Sequence, residues 1–279
     1  MLFAMLSPLP LVLRVADAVG SIFYQIGMRR DVTLDNLRRA FPEKSSMEIE
    51  TIAESAYRQF GRMLFEYMRF PALDSKTVLE SCEIVNRHLF DDALTSGRGG
   101  VLVAGHFGNW ELMGAYLARL GYPIYFLVGE QRNRLVDDVM NKHRERMGIR
   151  IIHRGMAVRG VIRALRDNGF VAMLADQDAR SAGEFVEFFG RPASTFQGPA
   201  VFALKTGAPI FFGSPVRIAG GRHRVEIERF DVDGLDGVTP ENIHRLTQAY
   251  TSALERCIRQ HPDHWFWMHR RWKSSPETA

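Results

Sequence analysis

The chain has 279 residues, of which 46% are hydrophobic and 24% are charged. This composition excludes an intrinsically disordered chain and is typical of a globular protein with a substantial core. There are 36 lysines and arginines against 32 aspartates and glutamates, a formal net charge of +4. This small excess of positive charge can attract an anionic partner only where it is concentrated. Arginines cluster in residues 132–150 and 269–273. Such clusters suit phosphate groups or an anionic membrane surface, or form a solvated basic face; we expect no nucleic-acid partner.

The first 28 residues are apolar for most of their length, with a polar stripe along one helical face. The stripe consists of Arg14, Asp17, Ser21 and Gln25. The segment lacks a basic n-region and a small-residue cleavage site, which argues against a secretory signal peptide. Its two charges argue against a simple spanning helix. Residues 1–28 therefore indicate a membrane-anchoring helix at the interface, and the alternative is a buried core helix. Residues 29–279 are predicted to form one domain.

Beyond residue 45 the pattern alternates between helices and strands. Ser45 and Glu48 form a capping-box pattern that begins a helix running to about residue 70. Further helices are predicted over 86–96, 109–120, 133–147, 156–168, 197–206 and 240–260. Strands are predicted over 100–105, 123–128, 149–153 and 170–175, followed by a long loop, and 209–218 with 223–230 indicates a hairpin. The alternation predicts an α/β fold with a mostly parallel central sheet flanked by helices.

A histidine and a glutamate stand at the junction between the strand over 100–105 and the following helix. Glu111 falls in the first helical turn, where the helix N-terminus favours an ionised carboxylate. It would accept a proton from one nitrogen of His106 and leave the other nitrogen as a base. The alternative is that His106 merely caps the turn or hydrogen-bonds to the backbone.

A second polar cluster follows the strand over 170–175. It consists of Asp176, Gln177 and Asp178. Because the carboxyl ends of parallel strands share one edge of a sheet, this cluster and His106 would converge on one site, where the cluster would bind substrate. The alternative is a set of caps or surface turns. The next loop contains Phe185, Phe188 and Phe189 and is too apolar for an ordinary exposed loop. These side chains either line an acyl channel or pack the core.

Other chemistries lack their motifs in this sequence. G-x-S-x-G, Walker, G-x-G-x-x-G and H-E-x-x-H patterns are absent. The histidines at 261, 264 and 269 lack a fourth ligand at suitable spacing, and Cys82 and Cys257 are predicted to be reduced packing residues of a cytoplasmic protein. We expect no metal and no cofactor. The sequence offers a candidate base but no obvious nucleophile. This pattern suits a reaction in which a hydroxyl of the substrate, deprotonated by the base, attacks an activated acyl group.

The ordered set of motifs resembles a known family. "HFGNWE" at 106–111 is similar to the H-x-x-x-x-[D/E] signature of the glycerolipid acyltransferase superfamily. With "DNLRRAFPE", "ADQD", "FFG" and "WMHRRWK" in the same order, the chain resembles the bacterial late acyltransferases of lipid A biosynthesis, the lauroyl and myristoyl transferases. The resemblance covers nearly the whole sequence.

That resemblance implies an enzyme on the cytoplasmic face of the bacterial inner membrane. It would transfer a fatty acyl chain from an acyl carrier protein thioester to a hydroxyl of a lipid A precursor. His106 would be the general base and Glu111 its orienting partner. Arg144 would contact a substrate phosphate or the oxyanion, and Asp176 would be an essential acid. The alternatives are transfer to another glycolipid or aminolipid, a lipid hydrolase using the same pair, and a membrane-binding protein without catalysis.

Overall fold

The computed structural model describes residues 1–129 and 133–276. The described helices are α1 Leu2–Leu6, α2 Leu9–Gln25, α3 Arg30–Ala40, α4 Ser46–Arg69, α5 Ser75–Ser81, α6 His88–Thr95, α7 Trp110–Arg119, α8 Arg134–Arg146, α9 Ala157–Arg166, α10 Gly198–Thr206 and α11 Pro240–Gln260. The described strands are β1 Cys82–Ile84, β2 Gly100–Ala104, β3 Ile124–Val128, β4 Arg150–His153, β5 Phe170–Leu174, β6 Glu184–Phe188, β7 Arg191–Thr195, β8 Ile210–Gly213, β9 Val216–Arg217, β10 His223–Val225 and β11 Ile227–Phe230.

A six-stranded sheet forms the centre of the molecule, with the order β11-β8-β2-β5-β3-β4. All neighbours run parallel except β11 and β8, which are antiparallel. The predicted mostly parallel α/β architecture is confirmed. The predicted strands over 100–105, 123–128, 149–153 and 170–175 correspond to β2, β3, β4 and β5.

Helices cover both faces of this sheet, and side-chain alternation along the strands divides the core into two clusters. Val103 and Met173 belong to the cluster on the face covered by α9, α10 and α11. Leu102 and Phe170 belong to the cluster on the opposite face, together with residues of α6 and α7. Because both faces are buried, β2 is apolar throughout, as expected for a central parallel strand.

The predicted long loop after β5 contains a two-stranded hairpin of β6 and β7. Phe188 pairs with Arg191, so Phe189 and Gly190 form a two-residue turn. Both turn residues have positive φ, 54° and 67°. Such turns favour Asn-Gly or Asp-Gly, and the phenylalanine in the first position concealed the hairpin signal. The hairpin predicted around residues 219–221 is confirmed: β9 pairs antiparallel with β10, and β8 with β11.

The amino-terminal segment forms two helices, α1 and α2, and α2 packs along α4. Gly20 of α2 and Gly61 of α4 permit this close approach, since a Cβ on Gly20 would lie 2.5 Å from the Tyr57 carbonyl oxygen. Part of the polar stripe faces α4, where Asp17 accepts two hydrogen bonds from Arg62. Within the described residues no single helix is long and apolar enough to cross a membrane; α2 and α3 meet the length and composition criteria only as a pair bent by 91°. The anchoring role of residues 1–28 stays a prediction.

Candidate active site

His106 and Asp176 lie side by side at the carboxyl edge of the central sheet. Ala104 of β2 and Leu174 of β5 are register partners. His106 lies two positions after Ala104, and Asp176 lies two positions after Leu174. The His106 Nδ1 lies 2.8 Å from Asp176 Oδ1, and the His106 backbone N–H donates to Oδ2 at 2.7 Å. Trp265 Nε1–H also donates to Oδ2, at 2.8 Å. Asp176 therefore holds the loop between β2 and α7, residues 105–109, which we call the histidine loop.

The residue that orients His106 is Asp176, and the expected orienting role of Glu111 is wrong in this geometry. Glu111 lies in the first turn of α7, and its carboxylate accepts hydrogen bonds from Nε and Nη2 of Arg144 on α8. The Nε–Oε2 distance is 3.0 Å and the Nη2–Oε1 distance is 2.5 Å. Sequence proximity suggested Glu111 as the partner, but the parallel pairing of β2 with β5 brings Asp176 closer.

The charge state of Asp176 determines the tautomer of His106. Burial by itself raises the pKa of this carboxyl, but the contacts with His106 and Trp265 outweigh burial and lower its pKa to about 2. An ionised carboxylate only accepts hydrogen bonds, so the Nδ1 of a neutral His106 carries the proton. Its Nε2 then presents a lone pair, and the imidazole lines a cavity. This arrangement is that of a general base held by a carboxylate.

Arg144 is buried and already has its partners. Besides Glu111, its Nη1 donates to Asn141 Oδ1 at 3.1 Å. Burial lowers the pKa of Arg144, but the Glu111 carboxylate outweighs burial, and the net direction is upward. A substrate phosphate would have to displace one of these contacts. The side chain also lines the cavity, where it presents a charge that Glu111 neutralises.

A cavity of about 750 Å³ opens beside His106, within the size range of small-molecule sites. Its walls come from α4, α7, α8, α10 and the strands of the central sheet, and most of the lining residues are apolar. Representative lining residues are Met63, Leu64, Met113, Leu117, Phe126 and Phe202. The cavity therefore offers a long hydrocarbon group a mostly apolar site next to a base.

The three phenylalanines predicted for an acyl channel do not line this cavity. Phe188 is fully buried and Phe189 is nearly so. Phe188 contacts Trp265 edge-on at 5.6 Å between ring centroids, and Phe189 packs against Trp267. Phe185 is half-buried in β6. The hairpin gives Phe188 and Phe189 the core-packing role that was the alternative.

Gln177 and Asp178, predicted with Asp176 to bind substrate, have different places. Gln177 lines the cavity. Asp178 instead accepts hydrogen bonds from the backbone and side chain of Ser274, at 3.0 and 2.9 Å. The Asp178 backbone N–H donates to His269 Nε2. Asp178 thus fastens the carboxyl-terminal segment and is not among the residues that line the cavity.

Comparisons with known proteins give the family of this chain. The model of a family described as bacterial lipid A biosynthesis acyltransferase matches residues 1–274. The chain belongs to this family. It is 25% identical to a lipid A biosynthesis palmitoleoyltransferase of Escherichia coli, over 96% of this chain and 87% of that protein. It is 26% identical to the lipid A biosynthesis lauroyltransferase of the same organism, over 97% and 88%. A phosphatidylinositol mannoside acyltransferase of Mycolicibacterium smegmatis is 25% identical, over 85% and 77%.

The sequence pattern did not reveal the part that the carboxyl-terminal segment plays in this candidate site. Trp265 donates to Asp176, the Phe266 N–H donates to the His106 carbonyl at 2.9 Å, and Gly108 N–H donates to the His264 carbonyl at 2.8 Å. By composition, the aromatic and basic residues of "WFWMHRRWK" also fit a lipid interface. The fold instead buries Trp265, Trp267 and Arg271. This segment secures the histidine loop from one side.

A buried ionic cluster, defined as Glu66, Asn109, Arg217 and His223, secures the histidine loop from the other side. Arg217 forms a bidentate pair with Glu66, with distances of 2.5 and 2.9 Å. Burial by itself raises the pKa of Glu66, but Arg217 outweighs burial and lowers it. Glu66 also accepts from Asn109, whose side chain caps α7 through the Leu112 N–H. No sequence motif links these residues, because they come from α4, the histidine loop, β9 and β10.

Proposed function

We propose that this protein transfers a fatty acyl chain from an acyl carrier protein thioester to a hydroxyl of a lipid A precursor. The observation that carries the proposal is the His106–Asp176 pair beside an apolar cavity of about 750 Å³. Membership of the lipid A acyltransferase family supplies the acyl-transfer chemistry and a lipid A type of acceptor. No cofactor is required for the steps below.

In the proposed reaction His106 Nε2 removes the proton of the acceptor hydroxyl as its oxygen attacks the thioester carbonyl. The tetrahedral intermediate then collapses, the carbon–sulfur bond breaks, and the imidazolium returns its proton to the thiolate. Asp176 stabilises the imidazolium through Nδ1. General-base assistance of this kind is typically worth about 10²- to 10⁴-fold. A thiol with a pKa near ~8.5 leaves with little acid assistance, so a base is the main requirement.

The cavity supports a long acyl group as the transferred chain. Each methylene that leaves water for an apolar wall contributes about 0.8 kcal/mol to binding. A dodecyl-length chain therefore gains substantial affinity from walls such as Met63, Leu117 and Phe126. Arg144 does not oppose this use, because Glu111 neutralises it within the wall.

We also propose that the protein works at the cytoplasmic face of the bacterial inner membrane. Apolar side chains of α1 and α2 are exposed, with Leu2 at 72%, Leu6 at 81% and Ile22 at 52%. Exposed apolar side chains on helices favour insertion into the lipid interface. An enzyme on that surface meets both a soluble acyl carrier protein and a membrane-embedded acceptor.

The proposed function is tested with purified protein, an acyl carrier protein thioester and a lipid A precursor, with products identified by mass spectrometry. We expect a precursor heavier by one acyl group, and no such product from His106→Ala. Free fatty acid without acylated lipid would overturn transfer in favour of hydrolysis. A matched His88→Ala variant, altered at the exposed start of α6, should keep wild-type turnover.

A second acceptor is included because of one comparison. The Mycolicibacterium smegmatis relative is named for phosphatidylinositol mannoside and covers 85% of this chain. The same assay with a mannosylated phosphatidylinositol tests that acceptor. Transfer to it alone would replace lipid A with another glycolipid while keeping the role of His106.

A further inference from the structure

Arg154 is a cation in the cavity wall that has no carboxylate partner among residues 1–129 and 133–276. It lies directly after β4, at the same carboxyl edge of the sheet as His106 and Asp176. Among the described residues its guanidinium forms no ion pair and no hydrogen bond. Its recorded side-chain contact is with the ring of Phe196, whose centroid lies 5.2 Å from the guanidinium carbon. Phe196 lines the same cavity.

The contrast with Arg144 defines what Arg154 offers. Both side chains line the cavity, but Glu111 and Asn141 occupy the Arg144 guanidinium. Arg154 is an exposed residue, and no described residue accepts a hydrogen bond from its guanidinium. Its contact with the face of Phe196 restricts the orientations of the planar group. A free, oriented guanidinium matches the geometry of a phosphate, which accepts two parallel hydrogen bonds from it.

We propose that Arg154 binds a phosphate group of a substrate in the cavity, an assignment that rests on the proposed acyl transfer. Two substrates bring a phosphate to this site. One is the phosphorylated sugar of the glycolipid acceptor, and the other is the phosphodiester of the carrier protein's pantetheine arm. Arg154 thereby takes the phosphate contact that sequence analysis gave to Arg144.

The test compares Arg154→Gln and Arg154→Lys with Arg159→Gln. Arg159 is an exposed arginine of α9 that lies outside the cavity wall. We expect Arg154→Gln to raise KM for one substrate about 10- to 100-fold with a much smaller change in kcat, the range for a lost charged hydrogen bond. Arg154→Lys should recover part of the loss because it keeps the charge. Arg159→Gln should retain the wild-type KM for both substrates.

Two arms distinguish the sources of the phosphate. If the acceptor supplies it, removing the sugar phosphate should raise the wild-type KM for acceptor and abolish the difference from Arg154→Gln. If the donor supplies it, Arg154→Gln should raise KM for the acyl carrier protein thioester whichever acceptor is used. Wild-type KM values for both substrates in Arg154→Gln would overturn the inference and leave the proposed function intact.

A binding measurement separates this inference from the proposed function. The affinities of His106→Ala for the phosphorylated lipid A precursor and for the carrier-protein thioester are compared with those of His106→Ala/Arg154→Gln. About 10- to 100-fold weaker binding of one of them to the double variant supports the phosphate contact even if transfer itself is not observed. Equal affinities for both would overturn it. Absence of product from wild-type protein, by contrast, would count against the proposed function alone.

Discussion

At the scale of single residues, the pairing of His106 with Asp176 is the feature on which the proposed chemistry depends. Asp176→Asn keeps the shape of the side chain but removes the charge and the preference for a proton on Nδ1. We expect kcat to fall about 10²- to 10⁴-fold with little change in KM, since the base loses its tautomer and the imidazolium its counter-charge. The measurement is steady-state acyl transfer.

Asp178→Asn is the matched control for that experiment. Asp178 lies two positions after Asp176, but its side chain binds Ser274 and does not contact the His106 imidazole. A kcat loss in Asp178→Asn as large as that in Asp176→Asn would contradict the special role of Asp176.

Glu111 and Arg144 are expected to stabilise the fold through their buried ion pair. Glu111→Gln leaves the Arg144 guanidinium buried without its counter-charge, which costs about 3–5 kcal/mol in comparable cases. We expect the free energy of unfolding, measured in urea, to fall by about this amount. Glu111→Gln combined with Arg144→Met should recover most of the loss, because it removes the stranded charge.

The same variants separate a structural Glu111 from an orienting one. If Glu111→Gln keeps wild-type stability yet loses its turnover, Glu111 acts on the chemistry, and the structural explanation is wrong.

At the scale of elements, His223 on β10 links stability to pH. It is buried, and burial lowers its pKa from 6.5 to about 4 despite the Glu66 carboxylate 3.9 Å away. His223 binds a proton more readily in the unfolded chain than in the folded protein. The free energy of unfolding should therefore be highest above about pH 6.5 and should fall as the pH drops towards 4. The loss from this one group is about 3 kcal/mol.

Urea unfolding at several pH values checks this expectation. His223→Leu removes the titrating group and should flatten the dependence between about pH 6.5 and 4, with little change near pH 8. An unchanged slope in this variant would assign the pH dependence to other groups with a lowered pKa, such as His269.

The amino-terminal helices carry the expectation of membrane attachment. We expect simultaneous replacement of Leu2, Leu6 and Ile22 by serine to weaken binding to anionic vesicles at least about tenfold, because apolar surface available to the lipid is lost. Vesicle flotation measures the binding. Leu79→Ser, at an exposed leucine of α5, is the control and should bind as the wild type does. Equal flotation of the triple variant would move the attachment site elsewhere.

At the scale of the whole molecule, the cavity between α4, α7 and the sheet should set the acyl chain length. Leu64→Trp adds volume to its wall and should shift preference towards shorter chains. Two acyl chains that differ by one methylene differ in kcat/KM by only about 10- to 200-fold, so the preference should change gradually with chain length. Competition between carrier-protein thioesters of different lengths measures it.

Phe188→Leu provides the comparison, since this residue lies in the aromatic core outside the cavity wall. We expect it to lower the free energy of unfolding while leaving length preference unchanged. A changed preference in Phe188→Leu, with none in Leu64→Trp, would return the acyl site to the hairpin.

The sequence by itself determined the order and kind of most elements, because helical and strand periodicities are local. It placed β2, β3, β4, β5 and α11 within a few residues of their observed bounds. It also indicated His106 and Asp176, since polar residues directly after buried strands are visible without knowing which strands are neighbours. The β6–β7 hairpin was missed because its turn residues, Phe189 and Gly190, depart from the usual pair.

Only the tertiary structure decided which side chains act together. Asp176 is 70 positions from His106 and Glu111 only five, yet the parallel pairing of β2 with β5 brings Asp176 to the imidazole while α8 supplies Arg144 to Glu111. The carboxyl-terminal tryptophans likewise suit either a lipid interface or a core by composition, and packing against the hairpin buries them. Local sequence encodes backbone conformation and side-chain polarity, whereas the choice of partner depends on contacts between segments distant along the chain.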